Sequence, residues 1–273
     1  MPIKKQLFVR LDTPCNFYLL GHVLGDYGLR LSPMEIYGLI LILSVIQSLF
    51  GVGILLFGTP ILLIAGYEYH EILLSLLPAS AALSWSQVWD FRKQKLDGGY
   101  RKSFLIFCIP GLVIGMYLTQ NFDLKFEIRA FVTVMLFIAF TLRTSSRLRV
   151  KLQRVMKRRL KLALASMGLI HGLSNMGGSV LTPLVSSLYS DKNKVMAGVS
   201  FDYAFMASFQ LTILVLLQGH KLLAHYLIGS AIALSVRYLI GKKVFEFTSE
   251  KSYQRLINGF ILANAIFLFL SFK

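Results

Sequence analysis

Two glycine-rich runs carry the residue types from which an anion site can be built. The first reads Gln47-Ser48, then Gly51-Val52-Gly53, then Gly58-Thr59-Pro60. The second reads His171-Gly172-Leu173-Ser174-Asn175-Met176-Gly177-Gly178, then Thr182-Pro183. Glycine lets a helix turn and lets a ligand approach the backbone closely. A break frees the N–H groups that open the next half-helix, and these favour negative charge. The candidate substrate-binding residues are Gln47, Ser48, Gly51, Gly53 and Thr59 in the first run, and Ser174, Asn175, Gly177, Gly178 and Thr182 in the second. Ser80 and Ser200 join them, because each lies in a small-residue cluster early in the apolar block after its run: Pro78-Ala79-Ser80-Ala81 and Ala197-Gly198-Val199-Ser200. Two plainer readings stay open. The glycines can serve helix packing alone, and the threonines can bond back to their own helices.

Three ionisable residues stand inside or beside apolar sequence and are candidates for coupling. Asp202 lies within Ser200-Phe201-Asp202-Tyr203, and an acid at such a place is expensive and usually functional. It carries a coupling proton, pairs with Arg237, itself in an apolar block, or lies close enough to an interface to be hydrated. Arg237 is otherwise a substrate counter-charge or a residue snorkelling to a helix end. His171 stands at the head of the second run and can donate or titrate, or serve helix packing alone. Enzyme chemistry finds no purchase: the sequence has no His-Glu-x-x-His pair, no Gly-x-Ser-x-Gly elbow, no Walker loop and no Cys/His cluster. No catalytic residue, no metal ligand and no cofactor is assigned.

These residues need helices in lipid to hold them. Charged residues are 15% of the chain and hydrophobic ones 55%, which leaves too few polar side chains to cover a soluble globule. Eight apolar blocks run through 36–65, 70–89, 103–119, 128–142, 162–189, 195–218, 222–240 and 256–272. They are continuous rather than alternating, which excludes a barrel. The fold class is therefore an all-α polytopic membrane protein. The first and fifth blocks are longer than one span requires, and both are interrupted by glycines and then Thr-Pro. The two Thr-Pro pairs stand 123 residues apart, and three shorter blocks follow each. The chain thus divides into an N-terminal extension (1–32), a first membrane repeat (33–143), a basic cytoplasmic linker (144–160) and a second repeat (161–273). Each repeat is a broken or re-entrant helix followed by three spans. Duplicated, glycine-interrupted segments point to a secondary transporter.

The net charge of +16 has an explanation in topology rather than in nucleic acid. Lys and Arg crowd the loops 90–102 and 143–161, which the positive-inside rule makes cytoplasmic. In the second half the bias shifts: the loop after 218 carries little charge, and the one after 240 carries Lys242, Lys243, Lys251 and Arg255. That shift is expected of inverted repeats, each long block being a hairpin that returns to the side it left. The N-terminus, the Glu68–Glu71 loop and the C-terminus would then be outside. Eight plain crossings with parallel repeats is the competing arrangement.

The two runs, each followed by its cluster with Ser80 or Ser200, resemble the TauE/SafE sulfite exporter family, also called the four-toluene-sulfonate uptake permeases. The resemblance covers about 33–272. It implies a multi-pass protein of the bacterial inner membrane that moves sulfite, a sulfonate, or another organosulfur or carboxylate anion. The partners expected are that small anion and the lipid bilayer, with no nucleic acid; a homo-oligomer is left open. The mechanism expected is alternating access at the repeat interface. The competing class is an integral-membrane enzyme or assembly factor acting on a lipid or partner protein.

Overall fold

The computed structural model describes residues 30–121, 145–189, 191–218 and 224–249, with isolated positions between 134 and 141 and between 252 and 266. The sequence-predicted spans 128–142 and 256–272 lie largely outside the described residues, as does most of the N-terminal extension. Among the described residues every regular element is helical. Four helical stretches are long and apolar enough to cross a bilayer: Pro33–Phe50, Tyr69–Asp90, Gly98–Thr119 and Lys192–Leu216.

Helix α1 (Pro33–Phe50) starts from a capping box, in which Ser32 caps the Glu35 N–H and Glu35 bonds the Ser32 N–H, with proline at its first position. It ends at Gly51, whose φ of 73° is left-handed. Helix α2 (Ile54–Ile64) then turns back. The return is recorded at its far end, where the Tyr67 hydroxyl donates to the Leu31 carbonyl at 2.6 Å. The first long block is therefore a helical hairpin. Helix α3 (Tyr69–Asp90) opens on a second capping box, Glu68 with Glu71, and runs to the opposite end.

Helix α4 is one rod of three parts: Gly98–Ser103, capped by Asp97, a π turn at Phe104–Cys108, and Ile109–Asn121. Helix α5 (Ser146–Arg158) is the described part of the basic linker. Helix α6 (Leu160–Ser174) ends at Asn175, also left-handed at φ 61°, a conformation that asparagine tolerates better than most residues. Helix α7 (Gly177–Leu188) returns, and Tyr189 beyond it accepts through its hydroxyl from the Asp97 N–H at 3.0 Å. Helix α8 (Lys192–Gln218) follows. Helix α9 comprises Ala224–Val236, a π turn at Arg237–Gly241, and Lys242–Phe247.

Packing crosses between the halves. α4 lies on α6, and α9 lies on both α1 and α3. The α4–α6 crossing is made by Gly111 and Gly115 against Gly168 and Gly172. A Cβ at Gly168 would stand 2.0 Å from the Cys108 carbonyl oxygen, and one at Gly172 would stand 2.3 Å from that of Leu112. Two helices come this close only where both present glycine. Gly172, grouped by the sequence with the second break, thus stays helical and serves this crossing. α3 and α8 pack against each other, and at an exposed edge of that contact the Trp85 indole donates to Ser208 at 2.8 Å.

Candidate site at the two helix breaks

The two hairpins overlap, each break lying against the return helix of the other. Val52, in the first break, meets the first turn of α7: a Cβ at Gly178 would be 3.4 Å from the Val52 Cγ1. Asn175, in the second break, donates through Nδ2 to the Thr59 Oγ1 of α2 at 3.2 Å. Its Oδ1 accepts from the Gln210 Nε2 of α8 at 3.0 Å. Gln210 and Tyr203 are seven apart on α8, so one face of that helix carries both to the breaks.

A group of buried polar atoms stands here with no well-formed hydrogen bond among the described residues, each within reach of one polar neighbour: Gln210 for His171, the Asn175 backbone for Tyr69 and the Leu56 backbone for Tyr203. It includes both ring nitrogens of His171 and the hydroxyls of Tyr69 and Tyr203. The His171 and Tyr203 rings lie edge to face with centroids 5.5 Å apart. The Tyr203 hydroxyl sits beside the backbone of Leu56, in the first turn of α2, and a Cβ at Gly178 would be 3.5 Å from it. Tyr69 reaches the backbone of Asn175 from the start of α3. Two helix N-termini thus converge on neutral hydrogen-bond donors. Leaving such groups unpaired in a low-dielectric interior is costly unless something else pairs them.

The candidates of the first break divide by role. Gln47 is fully engaged: Nε2 donates to the Ser80 carbonyl (3.1 Å) and the Ser84 hydroxyl (3.0 Å), while Oε1 accepts from the Ile54 N–H (3.0 Å) and the Ser80 hydroxyl (3.3 Å). It therefore caps α2 and pins the hairpin to α3. Gly51 packs against α8, where its Cβ would be 2.6 Å from Val199, and a Cβ at Gly53 would meet the Gln47 backbone at 2.7 Å. The Ser48 hydroxyl is buried and unpartnered, and its carbonyl accepts from Gln87 (3.3 Å) and Arg237 (3.2 Å).

In the second break, the Ser174 hydroxyl donates to the Ile170 carbonyl at 2.8 Å and accepts from the Met176 N–H at 3.3 Å. Gly177 lies under His171, whose Cβ would be 2.5 Å from an added Cβ. The Thr182 and Ser200 hydroxyls are buried without partners. The site thus holds Thr59, Asn175, Gly177, Gly178 and His171 together, whereas Gln47 and Ser80 brace one hairpin.

Asp202 and Arg237 do not pair. The Asp202 carboxylate accepts through Oδ2 from the Tyr100 hydroxyl of α4, and its Oδ1 is buried and unpartnered. Arg237 is 1% exposed and pairs instead with Asp90, at 2.8 Å from Nη2 and 3.2 Å from Nε, with Lys242 at 2.7 Å from the other carboxylate oxygen. Nor does it snorkel to an exposed helix end. Its Nη1 bond to the Ser48 carbonyl, beside the Gln87 bonds to Gln47 and Ser48, satisfies carbonyls that the end of α1 leaves open. Among the described residues no group of His, Cys, Asp and Glu could hold a metal.

Four helical stretches long and apolar enough to cross a bilayer mark an integral membrane protein. The family model for the sulfite exporter TauE/SafE matches residues 36–268, and the chain belongs to that family of membrane transporters. Comparison with curated proteins and with solved structures gives no match.

Proposed function

We propose that the chain is a secondary transporter of the bacterial inner membrane that carries sulfite, or a related sulfonate, organosulfur or carboxylate anion, between two inverted repeats. The observation that carries this reading is the Tyr203 hydroxyl, which is fully buried beside the first turns of both return helices, with the Leu56 backbone as its one polar neighbour there. Helix N-termini and neutral donors hold an anion without a fixed buried charge that would trap it. Tyr69, Tyr203, His171 and the amides at Gly177 and Gly178 would hold the oxyanion. The Thr59–Asn175 bond, which joins one hairpin to the other, is the contact that alternating access would break and remake.

The order of elements supports duplication, and the ends to which the two hairpins return support inversion. Each half has an outgoing helix closed by a left-handed residue, a return helix with Thr-Pro, a long span and a span interrupted by a π turn. The first hairpin returns to the end that holds Leu31, and the second to the end that holds Asp97.

The test is flux in proteoliposomes over a panel of sulfur oxyanions and carboxylates. Saturable flux of at least one anion is expected. Removing one donor in Tyr203→Phe should weaken apparent affinity by about tenfold. Gly177→Leu, which drives a side chain into His171, should stop transport while the protein still inserts. No flux for any anion would overturn the assignment.

A further inference from the structure

The chain on either side of α5 leaves no slack to carry it away from the membrane. Only Arg159 separates its last residue from α6, which carries Lys161 in its first turn and is apolar from Leu162 onward. Before it, only Arg143 and Thr144 separate the apolar block 128–142 from the cap residue Ser145. Its 13 residues make a rod of about 20 Å, and the short connections on either side hold it close to the apolar sequence that flanks it. One side of the rod faces α7: Met156 is buried, and Gln153 donates through Nε2 to the Pro183 carbonyl at 3.5 Å.

The other side carries Arg147, Lys151, Arg154 and Arg158, all exposed. Their spacing of four, three and four residues makes a single stripe on a helix. Leu148, Val150 and Val155 are 44%, 51% and 50% exposed, and they flank that stripe. α5 contains no Asp or Glu, and among the described residues the ion pairs all lie elsewhere. Uncompensated basic side chains beside half-exposed aliphatic ones match the boundary between anionic headgroups and acyl chains. A soluble acidic partner would satisfy the charges but would leave the aliphatic side chains unaccounted for.

We infer that α5 is an in-plane interfacial helix whose Arg147, Lys151, Arg154 and Arg158 stripe binds anionic phospholipid headgroups, and that the bound lipid braces α7 through Met156 and Gln153. The inference does not depend on what the protein transports.

The test uses the purified full chain in nanodiscs of phosphatidylcholine alone, or of phosphatidylcholine with phosphatidylglycerol, followed by thermal unfolding. The anionic lipid should raise Tm by several degrees, and high salt should erode that rise. Replacing all four stripe residues by Gln should remove at least half of the shift. Arg147→Lys with Arg154→Lys and Arg158→Lys should retain it, and so should Lys93→Gln with Lys95→Gln, which lie on the loop after α3. Should the quadruple variant fail to insert, the pairs Arg147→Gln with Lys151→Gln and Arg154→Gln with Arg158→Gln must each lose part of the shift. An unchanged Tm between the two lipids, or a full shift in the stripe variants, would overturn the inference. So would an equal shift from soluble polyphosphate added to phosphatidylcholine nanodiscs, which would identify a soluble polyanion as the ligand instead.

Discussion

Arg237 is the largest fully buried side chain among the described residues, and its charge is met on two sides. Asp90 neutralises it, and the end of α1 offers carbonyls that a cation complements. Removing Arg237 leaves Asp90 to Lys242 alone and uncovers the carbonyls at the end of α1. Arg237→Leu should therefore cost about 3–5 kcal/mol of stability, read as lost resistance to denaturant in detergent, and adding Asp90→Asn should recover part of it. The sequence shows Arg237 as an intramembrane base but not its partner. Asp90 closes an apolar block and reads as the start of a loop, whereas α3 stays helical through it. Asp202 belongs to a different pair, with Tyr100, and keeps one oxygen uncommitted. If that carboxyl carries the coupling proton, Asp202→Asn should abolish flux driven by an imposed pH gradient. Unchanged flux with an unchanged pH profile would remove it from the mechanism. Tyr69, Tyr203 and Gln210 escape a sequence reading because single tyrosines and glutamines are common in membrane helices. The available signal was the i, i+3 spacing from Ser200 to Tyr203 and the i, i+7 spacing from Tyr203 to Gln210, which place all three on one face of α8.

At the level of helices, glycine has two separate uses, and the substitution series distinguishes them. Gly168 and Gly172 are helical and let α4 touch the α6 backbone. Gly168→Val should force the pair apart and cost at least about 1–3 kcal/mol, the usual penalty for overpacking, seen as a lower Tm. Gly38 has nothing within 4 Å of an added Cβ and lies inside α1. Gly38→Ala should leave transport intact and stabilise by about 0.5–1 kcal/mol. The helix breaks were legible in the sequence as an expectation, because glycines near the middle of an apolar block longer than one span favour a turn there, although packing glycines in a plain crossing would read the same way. The glycine crossing was less legible. Gly111 and Gly115 stand in an unremarked block, and the pairing of Gly172 with them depends on which helix of one half meets which helix of the other. That is a tertiary choice, and no local pattern encodes it.

At the scale of the molecule, the topology follows from which end each hairpin returns to. The bond from the Asp97 N–H to Tyr189 puts the start of α8 at the same end as the basic loop after α3. In a cysteine-free background, Asp191→Cys and Lys93→Cys should be shielded from an impermeant thiol reagent outside intact cells, and Glu68→Cys should be labelled. Labelling of Asp191→Cys from outside would mean that the second long block crosses fully, and it would end the inverted arrangement. The same architecture has a consequence for how the protein is made. α4 belongs to the first half, yet the helix that fills its glycine-lined face is α6, and α1 likewise waits for α9. When the ribosome has released only the first half, both helices face lipid or the insertion machinery with their partners still unsynthesised. Final assembly is therefore post-insertional, and the two halves made as separate polypeptides should find each other in the membrane, while either made alone should be cleared by quality-control proteolysis.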